Sequence, residues 1–170
     1  MSKTSTSKVK SEPATGDELR ARAICEDHGN RPDELLEILH ALQAEFGYVP
    51  ESAAPAIAQA LNLSRAEVHG VISFYHDFRR TPPGRHIVKI CRAEACQALN
   101  TDALCAHAEK KLRTKFGETS ADGSYTLDAV YCLGNCALSP AVMIDGNLFG
   151  CVDKKRFNAI IADLDKEEAA

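Results

Sequence analysis

The sequence predicts a two-part α/β protein, an N-terminal helical bundle followed by an α/β sandwich. Three observations carry this prediction. Apolar residues recur at helical spacing up to about residue 80. Beyond Thr81-Pro82-Pro83-Gly84 the pattern becomes short β-branched runs separated by helical stretches. Finally, 170 residues of which 45% are apolar suffice for one domain with a core of its own plus a small helical appendage.

Residues 1–16 read as a disordered tail, since Ser, Thr, Lys, Pro and Gly leave almost nothing to bury. Residues 17–80 form the predicted bundle. Its first and weakest helix is Asp17 to His28. The second opens with Pro32, Asp33 and Glu34, aligns Leu35, Leu39, Leu42 and Phe46 on one stripe, and stops at Gly47. A third runs from Glu51 to Leu61, ended by Asn62. Ser64-Arg65-Ala66-Glu67 is a capping box for the fourth, whose apolar side is Val68, Val71, Ile72 and Tyr75.

Residues 84–170 form the predicted second domain. Arg85 to Ile90 reads as a strand leading to Cys91. Thr101 or Asp102 caps a helix through Leu104, Ala108, Leu112 and Phe116, closed by Gly117. A second strand, Tyr125 to Tyr131, leads to Cys132. Asp145-Gly146 suits a two-residue hairpin between Val142-Met143-Ile144 and Asn147-Leu148-Phe149. A last helix runs from Asp153 to Leu164. The order β-α-β-β-β-α is that of a thioredoxin-like sandwich: a parallel crossover, a hairpin and a covering helix.

A net charge of −4 offers no basic face for nucleic acid. No apolar run approaches the roughly 18 residues of a membrane span, so a soluble chain is expected. Met1–Lys10 lacks the apolar stretch of a secretory signal. Read as a mitochondrial transit peptide it lacks Arg and an amphipathic stripe, and that alternative ranks below a disordered tail. Seven cysteines cannot all pair internally. The expectation is a reducing, cytoplasmic setting in which clustered cysteines mean metal or redox chemistry.

Four of them read Cys91-x4-Cys96 and Cys132-x3-Cys136. A right-handed crossover makes the two preceding strands parallel, so both pairs leave the same sheet edge. Gly134 supplies positive-φ freedom for the second wrap. Four soft thiolates suit zinc or an iron–sulfur cluster. Zinc knuckles favour shorter spacings, often with His. The Cys-x-x-Cys of a thiol–disulfide enzyme and the His pair of a Rieske centre are both missing. Spacing and topology leave a [2Fe–2S] cluster and a structural zinc as the alternatives.

The surrounding text adds a resemblance. The segments are Leu42-Gln43-Ala44-Glu45-Phe46-Gly47-Tyr48-Val49-Pro50, Val71-Ile72-Ser73-Phe74-Tyr75, Pro83-Gly84-Arg85-His86 and Cys132-Leu133-Gly134-Asn135-Cys136-Ala137-Leu138-Ser139-Pro140. Together with the cysteine array they resemble the thioredoxin-like [2Fe–2S] ferredoxin family. Its members are the small flavoprotein partner of respiratory complex I and relatives in soluble NAD-dependent hydrogenases and formate dehydrogenases. The likeness spans about residues 30 to 165. It implies that Cys91, Cys96, Cys132 and Cys136 hold one [2Fe–2S] cluster, and that the chain is a non-catalytic electron-transfer subunit of an NAD-linked oxidoreductase. The first loop, Cys91-Arg92-Ala93-Glu94-Ala95-Cys96, departs from the small residues common there. It is most similar to the gamma subunit of soluble, molybdenum-containing NAD-dependent formate dehydrogenases. That likeness implies partners: a flavin/NAD-binding subunit carrying FMN, and an iron–sulfur and molybdopterin-containing catalytic subunit carrying the molybdenum cofactor. The equivalent subunit of an NADH:quinone oxidoreductase or NAD-reducing hydrogenase is the alternative, and a zinc-stapled interaction module or a thiol–disulfide enzyme are alternatives of other classes.

Beside the cluster loops, Glu94 would disfavour a reduced, more negative cluster and Arg92 would oppose it, unless the two simply form a solvated ion pair. Cys25, Cys105 and Cys151 read as small buried hydrophobes. His69 and His76 read as ordinary interface histidines rather than a proton relay, and Arg79 and Arg80 as a solvated pair. There is no Gly-x-Gly-x-x-Gly and no phosphate loop, hence no visible nucleotide site.

Overall fold

The computed structural model describes residues 16–167, and the expected tail lies outside them except for Gly16. The chain divides into two compact units between Pro82 and Pro83.

In the first unit, α1 (Gly16–Asp27) carries Asp17 and Glu18 in its first turn, where acids complement the helix dipole. It buries Ala21, Ile24 and Cys25. The predicted second helix divides in two. Pro32–Glu34 makes a single 3₁₀ turn, and α2 (Leu35–Phe46) follows. Ile38, Leu39 and Leu42 are fully buried, each contributing about 1.5–3 kcal/mol. Gly47 closes α2 at φ 80. The third helix, α3 (Ala53–Ala60), is shorter than predicted, with Asn62 at φ 53 just beyond it. The capping box of α4 (Arg65–Phe74) forms as read from the sequence. Glu67 N–H donates to Ser64 Oγ at 3.1 Å, and Ser64 N–H donates to Glu67 Oε2 at 2.8 Å. Val68 and Ile72 face the core, but Tyr75 does not. The helix ends at Phe74, which leaves Tyr75 as its extended C-cap, 43% exposed.

One polar side chain ties α2 to the segment after α4. Gln43 Nε2 donates to Asp77 O at 2.7 Å, and Gln43 Oε1 accepts from Arg79 N–H at 2.7 Å. Phe78, between those two positions, is thereby held in the core.

The second unit is a five-stranded sheet of order β2-β3-β1-β4-β5, made of β1 (His86–Cys91), β2 (Glu118–Thr119), β3 (Tyr125–Val130), β4 (Val142–Ile144) and β5 (Asn147–Phe149). β1 and β3 are parallel, and every other pairing is antiparallel. Val88, Ile90, Leu127, Val142 and Ile144 form one core with residues of α6 (Thr101–Leu112) and α7 (Lys154–Glu167). Gly84 makes that packing possible at the start of β1. A Cβ there would lie 2.8 Å from the Tyr125 backbone. The hairpin forms as predicted, with Asp145 at φ 48 and Gly146 at φ 83, as a type I′ turn requires.

The sequence reading missed β2, a two-residue edge strand, and α5 (Glu94–Ala98), a single short helix inside the first cysteine loop. It also misplaced both ends of α6. Asn100, at φ 63, precedes the helix without a side-chain cap, and Thr101 turns inward instead. Arg113 takes a left-handed conformation at φ 53, which stops α6 at Leu112, so Phe116 lies beyond the helix yet still packs on the core. Among the described residues no helix is long and apolar enough to cross a membrane.

Candidate metal centre

β1 ends at Cys91, which sits opposite Val130 in the parallel register. Cys132 follows two residues past the end of β3, so both cysteine loops leave the sheet at the same edge. Cys91 N–H donates to Ala141 O at 3.0 Å, and Arg92 N–H donates to Val130 O at 2.7 Å. These bonds extend the sheet pattern into the first loop. The loop turns into α5, which carries Cys96 inward. Thr101 Oγ1 donates to Cys91 O at 3.1 Å, and Gln97 Nε2 donates to Arg92 O at 2.9 Å. That inward turn of Thr101 is why it does not cap α6.

The second loop wraps tightly. Cys132 has φ 153, Gly134 has the predicted positive φ of 72, and Cys136–Leu138 forms one 3₁₀ turn. Gly134 N–H donates to Cys132 Sγ at 3.3 Å.

The four thiols meet two by two. Cys91 and Cys96 are buried in one small cluster with Ala141, while Cys132 and Cys136 are exposed with their sulfurs 3.9 Å apart. Two thiolates on one tetrahedral ion, at about 2.3 Å each, lie about 3.8 Å apart. The exposed pair therefore already has the spacing of two ligands on one ion. Among the described residues no three His, Cys, Asp or Glu side chains gather on one ion-sized point. The arrangement is two adjacent pairs.

The loops also interlock. Backbone groups of Ala93 in the first loop and of Leu133 in the second both act on the Cys91 thiol. Cys96 Sγ lies 3.4 Å from Ser139 Oγ, just past the second loop. Burial pushes the Cys91 thiol up, and the Cys96 thiol beside it acts in the same direction. Burial acts upward on Cys96 too, but hydrogen bonds with Ser139, Ala141 N–H and Cys91 outweigh it and bring Cys96 below its ordinary value. At Cys136 the neighbouring Cys132 thiol raises it. N–H donors aimed at sulfur are what an anionic, metal-bound thiolate requires. The donor set fits an iron–sulfur cluster.

The segment after β5 props the second loop from outside. Cys151 N–H donates to Leu138 O at 2.6 Å, and Val152 N–H donates to Pro140 O at 2.9 Å. A Cβ on Gly150 would lie 2.6 Å from Leu138 Cβ and 2.9 Å from Asn135 Nδ2. Sequence reasoning placed Ser139 in the second cysteine-loop motif without giving it a role, and missed Gly150 as part of the site, since it belongs to no ligand spacing. The Gly between β5 and Cys151 was the available signal.

The remaining cysteines divide. Cys25 and Cys105 are buried, as expected. Cys151 is not: it adopts φ 50 in the β5–α7 connection, its N–H is bound to Leu138, and its side chain is exposed. Arg92 does not pair with Glu94. Its guanidinium lies 3.7 Å from Asp102 and 5.5 Å from the centroid of Phe116, drawn toward α6 by a carboxylate and an aromatic face. His69 and His76 are exposed in the first unit.

Comparison with known proteins places this geometry. A family model described as thioredoxin-like [2Fe-2S] ferredoxin matches residues 21–165. One of the subunits of the NADH-quinone oxidoreductase of Pseudomonas aeruginosa is 39% identical over 117 residues, 69% of this chain and 70% of that one. The HndA component of the NADP-reducing hydrogenase of Solidesulfovibrio fructosivorans is 31% identical over 129 residues, 76% of this chain and 75% of that one. Among solved structures, an NAD+-reducing [NiFe]-hydrogenase in the air-oxidized state superposes with a TM-score of 0.67 at 25% identity. The match covers 79% of this chain but only 23% of the hydrogenase chain.

Proposed function

Because the chain belongs to the thioredoxin-like [2Fe–2S] ferredoxin family, we propose that Cys91, Cys96, Cys132 and Cys136 hold one [2Fe–2S] cluster, and that the chain is the electron-transfer subunit of a multisubunit NAD-linked oxidoreductase. The observation that carries the ligand assignment is the pairing of the thiols, Cys91 beside Cys96 in one buried cluster and Cys132 beside Cys136 at the surface. A zinc ion would draw four sulfurs to one point, whereas a two-iron core takes two thiolates on each iron. When bound, the cluster supplies a one-electron site. The chain's own residues hold it, bury one pair of ligands away from water and leave the other pair at the surface, where an electron can pass to a partner. NAD exchanges two electrons, so a flavin on a partner subunit would divide the pair.

The names of the relatives support an NADH–quinone oxidoreductase or an NAD(P)-linked hydrogenase as the parent complex. The formate dehydrogenase reading stands second, favoured by the loop Arg92-Ala93-Glu94-Ala95 between the first two cysteines. In that case the partners are the flavin/NAD-binding subunit and the molybdopterin-containing subunit. Isolation of the tagged chain from its own host tests the proposal. A flavoprotein is expected to accompany it, with nickel marking a hydrogenase and molybdenum a formate dehydrogenase. A chain recovered alone from gentle lysates, with no flavin-containing partner, would contradict the subunit role.

A further inference from the structure

Ser139 is buried, 6% exposed, and stands between the two pairs of thiols. Its Oγ lies 3.4 Å from Cys96 Sγ in one pair and 2.9 Å from the backbone carbonyl of Cys136 in the other. A hydroxyl has one proton to give and two lone pairs to receive with. While Cys96 is a thiol, both contacts are satisfied at once: the S–H donates to Oγ, and the O–H donates to Cys136 O. A thiolate at Cys96 has no proton, so the first bond then exists only if Ser139 supplies it. The competing acceptor is a neutral carbonyl, and a hydrogen bond to an anion is the stronger of the two.

We propose that the Ser139 hydroxyl turns its proton from the Cys136 carbonyl to the Cys96 sulfur when that sulfur is a cluster ligand, and thereby raises the reduction potential of the cluster. This rests on the cluster assignment above. The added electron makes the ligand sulfurs more negative, so the bond is stronger in the reduced state than in the oxidised one. Hydrogen bonds to cluster sulfur are among the levers that set such potentials. No covalent bond changes: one electron enters from the external reductant, and the proton stays on the Ser139 oxygen. Ser139 is a positioning residue, and its neighbourhood agrees with this role. The site is shielded from water, which would otherwise compete for the sulfur, since Ser139 and Cys96 are both buried.

The test is a redox titration of the full chain with its cluster loaded, comparing the parent protein with Ser139→Ala and Ser139→Cys. The optical and iron signature of the parent decides the cluster assignment separately. Ser139→Ala is expected to keep its iron and to shift to a more negative potential, by about a tenfold change in the oxidised-to-reduced ratio, or about 59 mV for one electron. Ser139→Cys, a weaker donor of similar size, is expected to shift in the same direction by less. A loaded Ser139→Ala at the parent potential would overturn the proposal. If the alanine variant takes up no cluster, Ser139→Cys decides in the same way. Failure of both variants to load would also overturn it, since the hydroxyl would then be a structural prop.

Discussion

Gly150 approaches Leu138 so closely that a Cβ on it would lie 2.6 Å from the Leu138 Cβ. The second cysteine loop is therefore held from behind by a residue eleven positions past Ser139, in the turn that leads to α7. Gly150→Ala is expected to displace the end of the loop and cost about 1–3 kcal/mol. Its φ lies outside the left-handed region, so crowding alone accounts for the loss. Chemical denaturation measures the stability, and cluster release to a chelator is expected to quicken. Unchanged values for both would mean that the loop does not depend on this prop.

Gln43 braces the first unit with both ends of one amide. Gln43→Ala would remove its bonds to the Arg79 N–H and the Asp77 carbonyl, at a cost of about 0.5–1.5 kcal/mol for each. Urea unfolding of the chain measures it. A loss below about 0.5 kcal/mol would show that water replaces the amide at no cost.

Asp122 accepts from the Ser120 hydroxyl and the Ser124 N–H, and these hold its carboxyl down from 3.8 to about 2. A depressed folded value means a contribution that is complete above the ordinary value and lost as pH falls toward about 2. The parent chain is expected to lose more thermal stability between pH 4 and pH 2 than Asp122→Asn does. Parallel pH profiles in the two would exclude this carboxylate as a contributor.

Serine replacements separate the two classes of cysteine. Cys25→Ser and Cys105→Ser place a hydroxyl in a buried apolar site and are expected to cost about 1–3 kcal/mol without loss of iron. Cys151→Ser, at an exposed position, is expected to change neither. Serine at Cys91, Cys96, Cys132 or Cys136 is expected to remove or distort the cluster and destabilise the second unit, because ligand binding energy is also folding energy there. A folded, iron-free Cys151→Ser protein would break this division.

Much of this was legible in the chain itself. Periodicity located the helices of the bundle, the box at Ser64 and Glu67 located the start of α4, and Asp145-Gly146 located the hairpin. The two strands leading to Cys91 and Cys132 followed from β-branched runs, and their parallel pairing from crossover handedness. Tertiary partners decided the rest. Thr101 reads as a helix cap, but the Cys91 carbonyl recruits its hydroxyl. Arg92 reads as a partner for Glu94, but Asp102 and Phe116 take it. Cys151 reads as a core residue until the Leu138 carbonyl is seen to bind its N–H and hold it at positive φ. Ser139 and Gly150 contribute position and room, which no ligand spacing records.

The proposed cluster is a two-iron, one-electron centre held by four paired thiols. Dithionite titration of the anaerobically purified chain, followed by EPR and by iron and sulfide analysis, tests it most directly. About two iron and two acid-labile sulfide are expected per chain. Uptake of about one electron is expected with bleaching of a red-brown colour, and an S = 1/2 signal in the reduced state. A colourless chain that binds a single zinc ion and takes up no electron would contradict it.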